Sequence, residues 1–225
     1  MDFVAILSEQ QTTVPLYLTV KTLGLVGLLH LVSGVLLGYY LTSKKSMMRS
    51  VVDFLVTLPL VFPPIATGFV LLMLLGRSGL IGHALPVDIV FSFTGVVIAS
   101  FVAGLPLMVK SVETALRGDV RRLAELAHVL GKSDWETFWL VLLPNIRRSI
   151  ATGWFLALGR GLGEVGITLM LGGNIIGKTN TLSLEIYNAV FSGEFDRAVV
   201  LASILAVFSC IIFIALKKLS SPNLI

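Results

Sequence analysis

The chain has 225 residues, of which 56% are hydrophobic and only 13% charged, with a mean hydropathy of +0.94. These values exclude an ordinary water-soluble domain and make the bilayer the expected solvent. The net charge of +4 comes from short basic clusters between apolar runs, a pattern that speaks for membrane topology and against a nucleic-acid-binding face.

The first residues, MDFVAILSEQQ, carry Asp2 and Glu9 and no basic residue, so a cleaved secretory signal is not expected and the start of the chain is read as retained. Crossing the hydrocarbon core takes roughly 20 apolar residues of helix. Uncharged runs at 22–43, 54–76, 89–109 and 198–216 meet that length, and a fifth run, 149–170, meets it while carrying Arg160 and Glu164. The expected architecture is one all-α membrane domain, 1–225, with five spans at about 15–43, 52–76, 88–112, 145–171 and 197–218.

Pro59, Pro63 and Pro64 fall in the second span and Pro106 in the third, where the missing N–H predicts bends. Both a bend tolerated within a packed bundle and a kink that gates a pathway fit. No internal repeat is visible of the kind that builds many secondary transporters. His30, His83 and His128 have neither metal-ligand nor haem-pair spacing, and His30 is read as a hydrogen-bonded packing residue. Cys210 lies in an apolar run without an intrachain partner, so no disulfide or cysteine-rich metal site is available.

Basic residues decide the orientation. Lys44, Lys45 and Arg49 follow the first span, Lys110, Arg117, Arg121, Arg122, Lys132, Arg147 and Arg148 lie between the third and fourth, and Lys217 and Lys218 follow the fifth. The opposite side collects Arg77, Lys178 and Arg197, with Lys21 near the outer end of the first span. The N-terminus is therefore expected outside and the C-terminus in the cytoplasm.

Between the third and fourth spans, GDVRRLAELAHVLGKSDWE (118–136) is too charged for lipid but amphipathic: Leu123, Leu126, Ala127 and Leu130 recur at helical spacing. Gly131 suits a helix C-cap and Ser133 or Asp134 the N-cap of a second short helix, so a segment of two short helices is expected over about 119–136. An interfacial loop packed on the spans or the lipid surface fits this pattern as well.

Glu125, Leu126, Ala127, then Gly131, then Leu143 and Pro144 resemble the Glu-Ala-Ala signature of bacterial ABC importer permeases, with Leu126 in place of the usual alanine. The resemblance implies that these residues form a coupling helix and its junction, seated in a groove of a separate ATPase subunit.

Arg160 and Glu164 stand in the fourth span, where an unpaired charge costs about 2.5–3.5 kcal/mol on insertion scales. At i and i+4 they can pair with each other, and Gly159, Gly161, Gly163 and Gly166 allow close helix approach. A structural ion pair is one reading; a face lining a translocation pathway, with Arg160 attracting an anion, is the other. The run from Leu158 to Tyr187 resembles permeases for tetrahedral oxyanions through Gly163, Glu164, Val165 and Gly166, then Gly173, Asn174, Ile175, Gly177, Lys178, Thr179, Thr181 and Leu182. With LPLVFPP (58–64) and GRSGLIG (76–82), the likeness extends over most of the chain and points to the molybdate permease group, with tungstate and sulfate permeases as relatives.

Gly172, Gly177, Lys178 and Thr179 also satisfy the spacing of a phosphate-cradling P-loop. No buried strand is expected before it, and the topology places it outside, so it is read as a turn at the outer mouth of the pathway.

The resemblance implies a type I ABC importer permease fold, with Arg160, Gly163, Glu164, Gly166, Asn174 and Thr181 along the pathway. The expected partners are membrane lipid, a second copy of the chain, a cytoplasmic ATPase dimer that binds the ATP, and an external oxyanion-binding protein. No catalytic residue, metal or cofactor is expected in this chain. Two other classes compare poorly: an ion-coupled secondary transporter predicts internal repeats, and the membrane anchor of a redox enzyme predicts paired histidines.

Overall fold

A computed structural model gives the architecture of residues 6–220, apart from 8, 85 and 87. Asp2, on which the reading of a retained start partly rests, lies outside the described residues. The described residues form helices joined by turns, with no strand among them.

α1 (Gln10–Tyr40) absorbs Pro15 near its start and continues unbroken for 31 residues. At 1.5 Å per residue it runs roughly 46 Å, longer than the hydrocarbon core is thick. The second predicted span departs from expectation, because α2 (Met47–Val61) and α3 (Pro64–Leu75) are separate helices. The break lies at Phe62-Pro63-Pro64. Each proline pushes the residue before it out of helical geometry, and Phe62 and Pro63 accordingly have ψ of 137° and 136°. Pro59, one turn earlier, stays inside α2, as Pro106 stays inside α4 (Phe93–Arg117).

After α4 come α5 (Asp119–Val129), the single turn α6 (Asp134–Thr137), a π-helical turn (Phe138–Leu142) and α7 (Leu143–Leu162). The fourth predicted span is also interrupted. α7 ends at Leu162, and α8 (Gly166–Gly172) leaves at 63° to the preceding helix. α9 (Leu182–Phe191) and α10 (Phe195–Ser220) complete the order. Three helices, α1, α4 and α10, are each long and apolar enough to cross a membrane, and 134–162 with 166–172 makes a fourth, bent candidate.

α4 is the hub, lying against α7, α1 and α8. Helices in lipid gain little from apolar burial against one another, so close contact depends on small residues that let backbones approach. Gly34 and Gly38 of α1 provide it: a methyl group at Gly38 would come within 2.6 Å of Val112 Cγ1, and one at Gly34 within 2.2 Å of Met108 Cγ. Met108 and Val112 then pack with Leu116, Leu142, Ile146 and Ala157. A second cluster joins Ala99 and Ala103 of α4 to Ile167 and Leu171 of α8. Two side chains tie the helices by backbone carbonyls: Trp154 Nε1 donates to Gly27 O at 2.8 Å, and the fully buried His30 donates through Nε2 to Phe101 O at 2.9 Å. α10 is buried only near its start, at Ala198, Val200 and Leu201, and turns Val207, Ile211, Phe213 and Ile214 outward.

Candidate functional site

The two broken helices meet at their breaks. A methyl group at Gly166 would lie 2.9 Å from Pro64 Cβ, and one at Gly68 would lie 2.9 Å from both Ile167 Cα and Met170 Cβ. Only glycine permits this approach, and it brings the starts of α3 and α8 side by side. Arg160 lies in the last turn of α7 and Glu164 in the three-residue break itself, so the two do not share one continuous helix as the sequence suggested. They nevertheless pair, Arg160 Nη1 donating to Glu164 Oε2 at 2.5 Å. The other carboxylate oxygen, Oε1, accepts from Ile167 N at 2.7 Å and caps the first turn of α8. The Glu164 side chain is 1% exposed and that of Arg160 32%, so the carboxylate is locked and the guanidinium keeps an open edge. Gly163, in the break, has no heavy atom within 4 Å of where a Cβ would stand.

Asn174 and Thr181 are placed elsewhere, in a second polar cluster. Asn174, at φ +49°, donates through Nδ2 to Asn188 Oδ1 at 2.6 Å. Thr181 is buried at the N-cap of α9. The anchor of this cluster is a pair that composition and spacing did not reveal: Arg197 Nη2 donates to Glu185 Oε1 at 2.8 Å, with side chains only 10% and 8% exposed. Glu185 Oε2 also accepts from Asn180 Nδ2 (2.9 Å) and Asn188 Nδ2 (3.2 Å), and Arg197 contacts Gln11 of α1. Such a pair holds α9, α10 and α1 together only because nearly every acceptor and donor is met. The cluster and the break are linked by Ser183, whose Oγ donates to Leu162 O at 2.7 Å, a carbonyl at the helix end.

The P-loop look-alike is closed on itself. It follows α8 and not a strand; Ile175 N donates to Thr179 Oγ1 and Gly177 N to Asn180 Oδ1, so these side chains occupy amides a phosphate would need. Beside it, a cavity of about 770 Å³ is lined by Arg77, His83, Asp88, Phe91 and Lys178 among others. The hydrogen bond from Arg77 holds the Asp88 carboxyl below its ordinary range.

At the other end of α4 and α7 stands the hairpin of α5 and α6. Gly131 (φ +81°) follows the last turn of α5, a left-handed conformation that glycine adopts without strain. Ser133 caps α6 in a full capping box with Glu136. Glu136 is held down to about 2 by the hydrogen bond from Lys132, then by the Ser133 N–H and hydroxyl. Of the predicted apolar stripe only Ala127 is buried; Leu123, Leu126 and Leu130 are exposed, and so are Val129 and Trp135 beside them. Glu125 is exposed and accepts from Arg121 at 3.3 Å. Leu143 and Pro144 form the first turn of α7, directly after the π turn, and Asn145 Nδ2 donates to Val141 O at 2.7 Å. His128, on the same hairpin, has Nδ1 3.1 Å from Lys132 O and Nε2 3.5 Å from Asp134. Among the described residues no cluster of His, Cys, Asp or Glu is suited to a metal ion.

Residues 34–225 match the family model of binding-protein-dependent transport system inner membrane components. The chain is 34% identical over 203 residues to the molybdenum transport system permease protein ModB of Azotobacter vinelandii, covering 88% of this chain and 90% of that one. It is also 34% identical over 209 residues to ModB of Escherichia coli (strain K12), covering 90% and 87%. Its fold is similar, with a TM-score of 0.76 at 21% identity, to the crystal structure of a bacterial ABC transporter involved in the import of the acidic polysaccharide alginate, over 96% of this chain and 82% of that one. A multi-pass bundle of this kind is the membrane-embedded component of a binding-protein-dependent transport system. The chain belongs to the family of binding-protein-dependent transport system inner membrane components.

Proposed function

We propose that this chain is the permease subunit of a molybdate importer and works as a two-fold dimer by alternating access. Its N-terminus faces outward and its C-terminus the cytoplasm, as the basic residues favour. An external binding protein delivers the anion, and a cytoplasmic ATPase dimer supplies the energy. The observation that carries the coupling part of this reading is the hairpin of α5 and α6, which projects Leu126, Val129, Leu130 and Trp135 without cover within the chain. It is inserted between α4 and α7, so a force applied to it reaches both at once.

In this reading Glu125, Leu126, Ala127 and Gly131 shape the contact with the ATPase, and Leu143 and Pro144 carry its motion into α7. Arg160 meets the anion, Glu164 orients Arg160, and Gly163 and Gly166 keep the break open and closely packed. Asn174 and Thr181 support the outer mouth from the neighbouring polar cluster. The likeness to two bacterial molybdenum permeases over about nine-tenths of the chain supports molybdate as the cargo.

The test is reconstitution with the ATPase and binding protein, and measurement of ATP hydrolysis and uptake with molybdate, tungstate and sulfate. Stimulation by molybdate is expected; stimulation by sulfate alone overturns the choice of cargo. Disrupting Glu125 or Gly131 is expected to uncouple hydrolysis from uptake or to loosen the ATPase, and unchanged uptake in both variants would count against the coupling role.

A further inference from the structure

An open cleft of about 470 Å³ lies between the halves of α4 and α7 nearest the α5–α6 hairpin. Its lining includes Lys110, Ser111 and Thr114 of α4 and Ser149 and Thr152 of α7, with Leu60 of α2 at one edge. Helical periodicity aligns these residues with Arg160: at about 100° per residue, Ser149, Thr152, Leu156 and Arg160 fall within one stripe of α7. Arg160 therefore stands some 12 Å further along the face that carries Thr152.

Unbonded hydroxyls occur elsewhere among the described residues, Thr12, Thr22 and Thr168 being buried without a partner, but here four of them face one open cleft. Elsewhere in the long helices, Ser33, Ser203 and Ser209 satisfy their hydroxyls by donating to the carbonyl four residues back, at 2.6, 2.8 and 3.0 Å. This is the ordinary solution for a hydroxyl facing lipid. Ser111, Thr114, Ser149 and Thr152 form no such bond, nor any other hydrogen bond with the described residues. Four open hydroxyls facing one cleft require water or a polar solute as partner.

Charge fits a polyatomic anion in transit. Lys110 is one-third exposed and donates to Asp53 and, at 2.8 Å, to Glu113, which leaves one of its three donors. Glu113 in turn accepts from Arg117 at 2.7 Å. The four charges cancel, so a dianion meets hydroxyl donors and one ammonium proton without a net positive trap. Weak, multiple contacts of that kind let a solute leave as readily as it enters. α4 and α7 approach each other closely at the wall of this cleft. Gly153 leaves Ser111 just enough room, since a methyl group there would come within 2.7 Å of Ser111 Cβ. α4 and α7 are the two helices joined by the hairpin.

The geometry points to a staging site for tetrahedral oxyanions on the cytoplasmic side of Arg160, formed by Ser111, Thr114, Ser149 and Thr152 with Lys110. This rests on the oxyanion-permease reading above and adds a second, lower-affinity stop to the pathway. The hydroxyls replace the anion's water, and the cleft releases it when α4 and α7 move apart.

The experiment uses the complete transporter in nanodiscs without nucleotide, with Cys210→Ser as background and single cysteines at Thr114, Thr152 or, as a lipid-facing control, Ser203. Labelling by a membrane-impermeant thiol reagent is measured with molybdate, sulfate or chloride at constant ionic strength. Reaction at Thr114→Cys and Thr152→Cys, slowed by molybdate and sulfate but not chloride, is the expected result. In a background that also carries Ser149→Ala and Ser111→Ala, protection should need on the order of a hundred-fold more anion, about ten-fold for each of the two hydrogen bonds to a charged group that are lost. No reaction at either position means that lipid or protein fills the cleft, and equal labelling in all three salts means that no oxyanion stops there; each result overturns the proposal. Uptake by the unaltered transporter is followed in parallel. Absent import of every oxyanion refutes the parent reading by itself, whereas import without protection refutes only the staging site.

Discussion

Removal of the Glu164 carboxylate separates the two roles that the geometry gives it. One oxygen caps α8 through Ile167 N at 2.7 Å and the other holds Arg160 at 2.5 Å. Glu164→Gln keeps an acceptor for Ile167 N and loses the charge; Glu164→Ala loses both. Hydrogen bonds to charged groups contribute about 1.5–3 kcal/mol each, and an N-cap about 1 kcal/mol. Arg160, one-third exposed, can turn to water and escape most of the penalty of a stranded charge. Glu164→Gln should therefore cost about 1–2 kcal/mol and Glu164→Ala about 2–4 kcal/mol, read as two distinct drops in thermal unfolding of the purified transporter in one detergent. Equal losses in the two variants would refute the cap. The combination Arg160→Met with Glu164→Gln then asks what the pair is for. It leaves no charge and keeps the cap, so stability should return to within about 1 kcal/mol of the parent. Abolished uptake at that restored stability is expected of a guanidinium that meets the anion; full uptake would make the pair structural and sink the pathway role of Arg160.

The α1–α4 contact yields a contrast of sign. Gly38→Ala places a methyl against the stiff, β-branched Val112 and should destabilise by about 1–3 kcal/mol, whereas Gly24→Ala on the same helix meets nothing within 4 Å and should be neutral or stabilising by up to about 1 kcal/mol; the unfolding temperatures of the two variants check this. On the hairpin, the Glu136 carboxyl is lowered from 4.5 to about 2, so its contribution to α6 is complete above its unfolded-state value and disappears as pH falls from there through about 2. Trp135 lies within α6 and packs edge-on to Trp139 at 5.5 Å. Its fluorescence should shift across that acid window, and the shift should vanish in Glu136→Gln; a shift that persists there would have another origin.

How much of this was legible beforehand differs from residue to residue. Composition and basic clusters were enough for an all-helical membrane bundle, and the two turn signals at Gly131 and Ser133 placed the caps of the hairpin because both act through local backbone geometry. Pro63-Pro64 announced a bend, and the structure turns it into a full break because two successive residues are forced out of helical ψ. The second break was hidden. Glycines at 159, 161, 163 and 166 read as a packing face, and Glu164 as an i+4 partner within one helix. The three-residue spacing from Glu164 to Ile167 is also that of a side chain reaching an amide in the first turn of a helix, and that local signal would have located the start of α8. What no local rule carries is partnership across the fold. Glu185 and Arg197 are twelve residues apart with a helix end between them, and Ser111 and Ser149 face one cleft only because α4 and α7 are brought together by the hairpin. The polar groups that matter in a bilayer are those without a local partner, because a helix in lipid satisfies its own backbone and most of its hydroxyls. The unbonded hydroxyls of Ser149 and Thr152 lie with the open edge of Arg160 along one face of α7, and those of Ser111 and Thr114 line the same cleft from α4.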